Sequence, residues 1–469
     1  MRRYLIGAAS AAALLAQPLA AQTVRPDQAR FRELYQELVE INTTLSAGSC
    51  TEAAAKMAAR LKAAGYTDQD ITLFSTPEHP KDGGLVAVLK GSDAKARPML
   101  LLAHIDVVEA KREDWTRDPF KLVEENGFFY ARGSADDKSM AAIWTDSLIR
   151  FKQDGFKPKR TIKLALTCGE ETTYAFNGAE WLAKNKPDLI AAQFALNEGG
   201  GGRLDKDGNR QMLVVQVGEK ATQNYRIETT NPGGHSSRPV PDNAIYELAD
   251  ALKRVQGYEF PVHLNEVSKA FFANTAKLLG GEMGKAMTAL IANPEDAAAN
   301  RIVSADPTFH TMLRTTCVAT LLDGGHANNA LPQRAGANIN CRIAPGETVE
   351  GTQATLAKVI GDPKVRITLE PPIRPLAVSP PLDPRIIGPM ESLGKKYFPG
   401  VPMTPVMSSG ATDGIFLEAI GIPVYGVPGI FGEIDGNGAH GLNERIRVRS
   451  LYEGRDYLFD LVKLYANAV

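Results

Sequence analysis

The hydrophobic pattern changes period several times along this chain. Phe31, Leu34, Tyr35, Leu38 and Ile41 recur at helical spacing and predict an amphipathic helix. Ser49 and Glu52 form a capping-box signature for a second helix, which Gly65 is placed to end. Short, unbroken apolar runs follow at Leu85 to Leu89, Met99 to Ala103, Ile162 to Thr167 and Phe194 to Leu196. Their length and lack of alternation suit strands buried on both faces, as in a parallel or mixed sheet covered by helices. A helix is predicted between them from Ser139 to Lys152. This is α/β patterning.

Around Gln216 to Lys220 the pattern shifts. Asn224 to Thr229, Arg314 to Leu321 and Ala337 to Ile343 alternate like strands with one exposed face, and helical stretches lie between them at Asn243 to Val255 and roughly Ser268 to Ile291. A Pro-rich passage from Pro371 to Pro384 marks the return to the first pattern, which ends in a helix from Leu451. The expected fold is therefore α/β: a larger domain with a mixed, mostly parallel sheet covered by helices, interrupted by a smaller α+β domain. The expected boundaries are 22–218, 219–372 and 373–469.

Composition narrows the class. The 469 residues are 44% hydrophobic and 23% charged, as in an ordinary globular protein. A formal net charge of −1 gives no electrostatic case for nucleic acid. Arg2 and Arg3, the apolar stretch Ile6 to Leu19 and the small residues Ala20 and Ala21 read as a signal peptide over 1–21. The apolar stretch is shorter than the roughly 20 residues of a spanning helix, so export to the periplasm or medium is expected, with no membrane attachment afterwards. Cys50, Cys168, Cys317 and Cys341 show no C-x-x-C spacing, which argues against a cysteine zinc site. Export permits disulfides, with Cys317 and Cys341 on two strands that could be neighbours, but spacing leaves the pairing open.

Chemistry gathers where the buried strands end. Met99 to Ala103 runs into His104 and Asp106, the run to Thr167 into Glu170 and Glu171, and the run to Asn197 into Glu198. Ligands in open α/β sheets bind beyond the carboxyl ends of strands, so these groups are expected at one edge. Asp136 and Asp137 precede the 139–152 helix, where Asp137 also reads as an acid favouring the helix dipole. His440 lies in the glycine-rich stretch Gly436 to Gly441. Crowded carboxylates raise one another's pKa, and a dication removes that cost. Mixed His and carboxylate ligands suit zinc, with manganese or cobalt as alternatives. Glu170, beside a ligand, is suited to take a proton from water.

These motifs together resemble the aminoacylase, carboxypeptidase-G, carnosinase and succinyl-diaminopimelate desuccinylase family of di-zinc peptidases. They are L-L-A-H-I-D-V-V at 101–108, A-R-G-S-A-D-D-K at 131–138, T-C-G-E-E-T at 167–172, N-E-G at 197–199 and G-A-H-G-L-N-E at 438–444. The resemblance implies two zinc ions, one held by His104 and Glu198, the other by Glu171 and His440, with Asp136 bridging. It implies that Asp106 orients His104 and that Glu170 is general base and acid. N-P-G-G-H-S-S-R-P at 231–239 resembles the lid segment whose histidine stabilises the oxyanion, often in the partner subunit, which points to His235; the bland alternative is a surface turn histidine. Asn329 in N-N-A-L-P, Arg342 in N-C-R-I-A-P-G and Gly410 in S-S-G-A-T-D resemble contacts to a substrate carboxylate, with a structural ion pair as the other role for Arg342. Ser139, Glu109 and Asn340 depart from the family pattern without touching a proposed ligand.

The expected function is an exported di-zinc exopeptidase, of carboxypeptidase or dipeptidase type, that cleaves an amide bond next to a free carboxylate. An N-acyl-amino-acid amidohydrolase would share every catalytic residue, and a non-catalytic binding protein is a remoter alternative. The expected substrate is a small peptide or N-acyl amino acid, and the lid is a candidate homodimer surface. No G-x-S-x-G elbow supports a serine hydrolase.

Overall fold

The computed structural model describes residues 25–172 and 175–468. The expected signal peptide at 1–21 lies outside the described residues. Ten strands form one mixed sheet. Its order is Ile71–Thr76, His79–Leu89, Ile162–Thr167, Met99–His104, Phe194–Asn197, Val424–Gly426, Arg210–Glu219, Gly201–Leu204 and Phe431–Gly432, with Met403–Ser408 also paired to Arg210–Glu219. The centre is parallel: Met99–His104 runs alongside both Ile162–Thr167 and Phe194–Asn197, and Val424–Gly426 continues from the latter.

The unbroken apolar runs are explained by two buried faces. Met99, Leu101 and Ala103 join the core built by helices Pro26–Glu40, Cys50–Ala63, Lys138–Gln153 and Val448–Asn467. Leu100 and Leu102 face the other side, among Ala179 and Leu182 of the helix Gly178–Asn185. Ser49 Oγ accepts the Glu52 N–H at 3.2 Å, starting the helix as expected.

The smaller sheet is antiparallel, in the order Thr316–Gly324, Arg334–Ile343, Ala221–Thr230 and Arg366–Glu370. Helices Ala244–Gln256 and Val349–Ile360 cover one face. Between its strands the structure holds more helix than the pattern predicts. The expected helix 268–291 is two, Glu266–Leu279 and Gly281–Ala292, divided where Gly280 and Gly281 both take positive φ (59° and 58°). That backbone conformation suits glycine and ends a helix. Two short helices, Ala297–Val303 and Pro307–Leu313, complete this group around a separate apolar core that includes Phe272, Met287 and Leu313. Val406 of Met403–Ser408 packs against it, so the group leans on the large sheet.

Two disulfides lock the halves internally. Cys317–Cys341 joins facing positions of the paired strands Thr316–Gly324 and Arg334–Ile343. Cys50–Cys168 joins the start of the helix Cys50–Ala63 to the residue after Ile162–Thr167. No helix among the described residues is long and apolar enough to cross a membrane.

Candidate metal centre

The parallel register decides which groups meet. His104 pairs with Thr167 across adjacent strands, and Leu101 pairs with Leu196 on the other side. Three neighbouring strands therefore end at one edge and deliver His104, Glu170, Glu171 and Glu198 there.

Asp136 lies at the centre. Its Oδ1 is 3.2 Å from His104 Nε2, which is also 3.7 Å from Glu198 Oε1. Its Oδ2 is 3.4 Å from His440 Nε2, which is 2.8 Å from Glu171 Oε2. One carboxylate thus faces two imidazoles with its two oxygens, and each imidazole has its own glutamate. All five residues expected to bind metal are together.

Asp106 does more than orient His104. The His104 Nδ1 lies 3.2 Å from the Asp106 carbonyl oxygen and 3.5 Å from its Oδ1. The same carboxylate accepts the backbone N–H groups of Glu170 (3.3 Å) and Glu171 (3.0 Å). It fixes both the histidine and the turn that carries the expected base.

The electrostatics are those of a site built for cations. Burial disfavours the His104 imidazolium, yet Glu198, Asp106 and Asp136 together hold it well above its ordinary value. Burial lifts Glu171 to about 7, with Asp136 and Asp106 adding and His104 and His440 opposing. Burial also pushes Glu170 and Glu198 well up against the pull of His104, reinforced for Glu170 by Asp413, Glu171 and Asp106 and for Glu198 by Asp137, Glu170 and Asp136. Asp137, read from sequence as a helix-dipole acid, is buried in this cluster, and its Oδ2 has no hydrogen-bond partner. Such a buried acid cluster is costly until divalent cations neutralise it. The donor set fits two cations sharing Asp136, an arrangement known in two-metal hydrolytic sites.

Two residues that sequence reasoning did not single out hold the centre in shape. Glu444, almost fully buried, accepts from Arg132 Nη1 (2.8 Å) and from the backbone N–H groups of Gly133 (2.9 Å), Ala135 (2.8 Å) and Asp136 (3.0 Å). Arg132 Nη2 also donates to the Gly441 carbonyl at 2.7 Å, tying the Asp136 turn to the loop of His440. Asp413 accepts from Thr167 Oγ1 (2.8 Å) and Asn177 Nδ2 (2.6 Å) behind the Glu170 turn. Both acids stand at the ends of motifs quoted above, G-A-H-G-L-N-E and S-S-G-A-T-D.

The remaining expected residues lie apart from this cluster. His235 is exposed on the two-residue strand Gly234–His235, its Nδ1 bonded to Ser237, and no described contact joins it to the five clustered residues. Asn329 sits beside it, its carbonyl accepting the Ser236 N–H at 3.0 Å. Arg342 is half-buried on Arg334–Ile343 and donates to Thr222 Oγ1 at 2.6 Å; among the described residues no carboxylate pairs with it, so the ion-pair role is not seen. The Gly410 N–H, expected to face substrate, is taken by Ser408 Oγ at 3.0 Å.

Residues 100–464 match the model of peptidase family M20/M25/M40. The chain belongs to that family. It is a metal-dependent hydrolase within the family's range of peptidases and amidohydrolases. The human N-fatty-acyl-amino acid synthase/hydrolase PM20D1 is 28% identical over 408 residues, covering 84% of this chain and 79% of the relative. A metallo-carboxypeptidase of the M20 family from Sulfolobus solfataricus, Sso-CP2, shares the fold with a TM-score of 0.70, at 20% identity and with 93% of this chain and 99% of that one covered. Human carnosine dipeptidase 1 aligns with a TM-score of 0.63, 18% identity, and coverage of 94% and 96%. M20 membership accounts for the mixed sheet interrupted by a lid.

Proposed function

We propose that this M20 member is an exported hydrolase that cleaves an amide bond next to a free carboxylate, as a carboxypeptidase or dipeptidase does. The observation that carries the reading is Asp136 set between two His–Glu pairs, with Glu170 buried in the same cluster near His104, Glu171 and Glu198. His104 and Glu198 would hold one zinc, Glu171 and His440 the other, and Asp136 both. Metals so held would supply Lewis acidity, lowering the pKa of a water and polarising the scissile carbonyl.

The protein's own groups supply the rest. Glu170 takes the proton from the attacking water and returns it to the leaving amine; burial, which raises its proton affinity, suits the second task. Arg342, half-buried and without an acid partner among the described residues, is free to engage a substrate carboxylate. Export is supported by the Ile6 to Leu19 stretch and by two disulfides, which suit an oxidising compartment. The edge strand Thr316–Gly324 exposes Val318, Leu321 and Leu322, which supports a homodimer through the lid and lets His235 serve the partner's site.

A second reading, an N-acyl-amino-acid amidohydrolase, is favoured by the name of the PM20D1 relative. Both share the carboxylate side and differ in the group across the amide. Zinc-loaded protein should be assayed on dipeptides, longer peptides and N-acyl amino acids, with Glu170→Gln as control. Turnover lost in Glu170→Gln with two metals retained is expected; undiminished turnover would remove Glu170 from the mechanism, and activity on none of the three classes would sink the reading.

A further inference from the structure

The large sheet passes into the lid at one point. Arg210–Glu219 ends, Lys220 follows, and Ala221–Thr230 begins the lid sheet. The return passage runs against the same point: a Cβ on Gly218, whose φ is 92°, would lie 2.6 Å from Ser379 Oγ. The crossover is therefore a two-stranded neck with no room for a side chain at Gly218.

Glu219 sits in that neck, buried, and its carboxylate reaches across to the 408–413 loop. It accepts the Thr412 N–H (3.0 Å), the Thr412 hydroxyl (2.7 Å) and Gln216 Nε2 (3.2 Å). The next residue ties the same loop, as the Lys220 N–H donates to the Ser408 carbonyl at 3.0 Å. Thr412 Oγ1 meanwhile accepts from Asn197 Nδ2 (3.2 Å) and from the Gly414 N–H (3.0 Å). With two donors already on that oxygen, its own proton goes to Glu219. Asn197 is the residue before Glu198. An unbroken chain of hydrogen bonds thus runs from the neck, through Thr412, to the backbone that presents Glu198.

We propose that Glu219 is a positioning residue for hydrolysis, coupling the lid crossover to the 408–413 loop and to the Glu198 strand end. The catalytic part rests on the reading of Glu198 as a metal ligand; the coupling does not. No described contact joins Glu219 directly to the metal cluster; the hydrogen-bonded route runs through Thr412 to Asn197, and Gln216, the other donor to Glu219, packs against Gly199 at the same strand end.

Glu219→Gln tests this, because an amide turns an N–H toward groups that all donate to the carboxylate in the wild type. The expected result is a loss of roughly 10- to 100-fold in kcat/KM, the worth of one charged hydrogen bond, with two zinc ions retained. Amide exchange in the metal-free protein should quicken in segments covering 408–414 and 197–199 and stay unchanged elsewhere. Thr412→Val should reproduce both effects and Thr412→Ser should restore them, which decides the matter even if Glu219→Gln folds poorly. Wild-type exchange in Thr412→Val overturns the coupling. Altered exchange with no hydrolysis by any form, wild type included, overturns the hydrolase reading and leaves the coupling standing. Altered exchange with wild-type kcat and KM overturns the positioning role.

Discussion

Glu444→Gln tests how far the metal centre depends on what stands behind it. The Glu444 carboxylate is 1% exposed and takes four donors, two on each oxygen: Ala135 and Asp136 N–H on Oε1, Arg132 and Gly133 N–H on Oε2. Burial raises its proton affinity, opposed by those donors, and because both oxygens face only N–H groups the ionised form is the one that fits. In Glu444→Gln, whichever way the amide turns, its NH2 confronts two donors. Two charged hydrogen bonds, at about 1.5–3 kcal/mol each, are lost. The gross loss is about 3–6 kcal/mol, in line with the ~3–5 kcal/mol for breaking a buried ion pair by removing one partner. A net destabilisation of about 3–4 kcal/mol is expected, read as the shift in urea unfolding of the metal-free protein. The Asp136 turn also loses its anchor, so zinc affinity should fall about 10- to 100-fold, as for other residues behind metal ligands, measured by competition with a chromophoric chelator. A variant within about 0.5 kcal/mol of wild type that binds zinc normally would refute the argument.

Three further outcomes are expected. Zinc affinity should fall as pH drops through about 7: burial lifts Glu171 to about 7, so below that pH it carries a proton that the metal must expel, and hydrogen bonding to Asp136 makes His440 hold its own proton more tightly than an ordinary histidine; calorimetry in two buffers should show proton release, and pH-independent binding would contradict this. Replacing Cys50 and Cys168 with Ala should cost more stability than replacing Cys317 and Cys341, about 5 against about 3.5 kcal/mol from chain separations of 118 and 24, and the former pair, two residues from Glu170, should also lower kcat; the reverse ranking in denaturation would argue against it. If the lid dimerises and His235 serves the partner, inactive His235→Ala and Glu170→Ala protomers should regain activity on mixing, and no recovery after demonstrated subunit exchange would place His235 in its own chain's site.

The metal cluster was legible because burial forces a simple pattern on the strands that carry it. A strand covered on both faces can hold little but apolar residues, so the charged or imidazole group that follows each run marks the sheet edge, as with His104, Glu170 and Glu198. Parallel pairing then brings those edges together without further information. The same logic fails for the supporting residues. Arg132 and Glu444 are 312 residues apart, and each, read locally, is one more charged residue in a glycine-rich loop. Their pairing follows from which loops the sheet sets side by side, a long-range fact that no period or spacing carries. The helix pattern at 268–291 failed differently: apolar spacing survives across Gly280 and Gly281, and only the backbone shows that both residues turn left.

This difference bears on where the substrate side should be sought. His104, Asp136, Glu171, Glu198 and His440, expected from sequence as metal ligands, come together within a single chain, from strand ends, the Asp136 turn and the His440 loop. Those that stayed apart from this cluster, His235, Asn329 and Arg342, all belong to the lid, and Gly410 belongs to the loop that Thr412 anchors to the lid crossover. On the proposed reading, a lid movement or a second subunit would have to bring these lid residues to the substrate held at the sheet edge. Glu219 stands where such a movement would pivot. On that reading substrate choice would depend on how the lid is held over the site, and substitutions at Glu219 or on the Thr316–Gly324 edge should alter KM among substrates while the metal content stays constant.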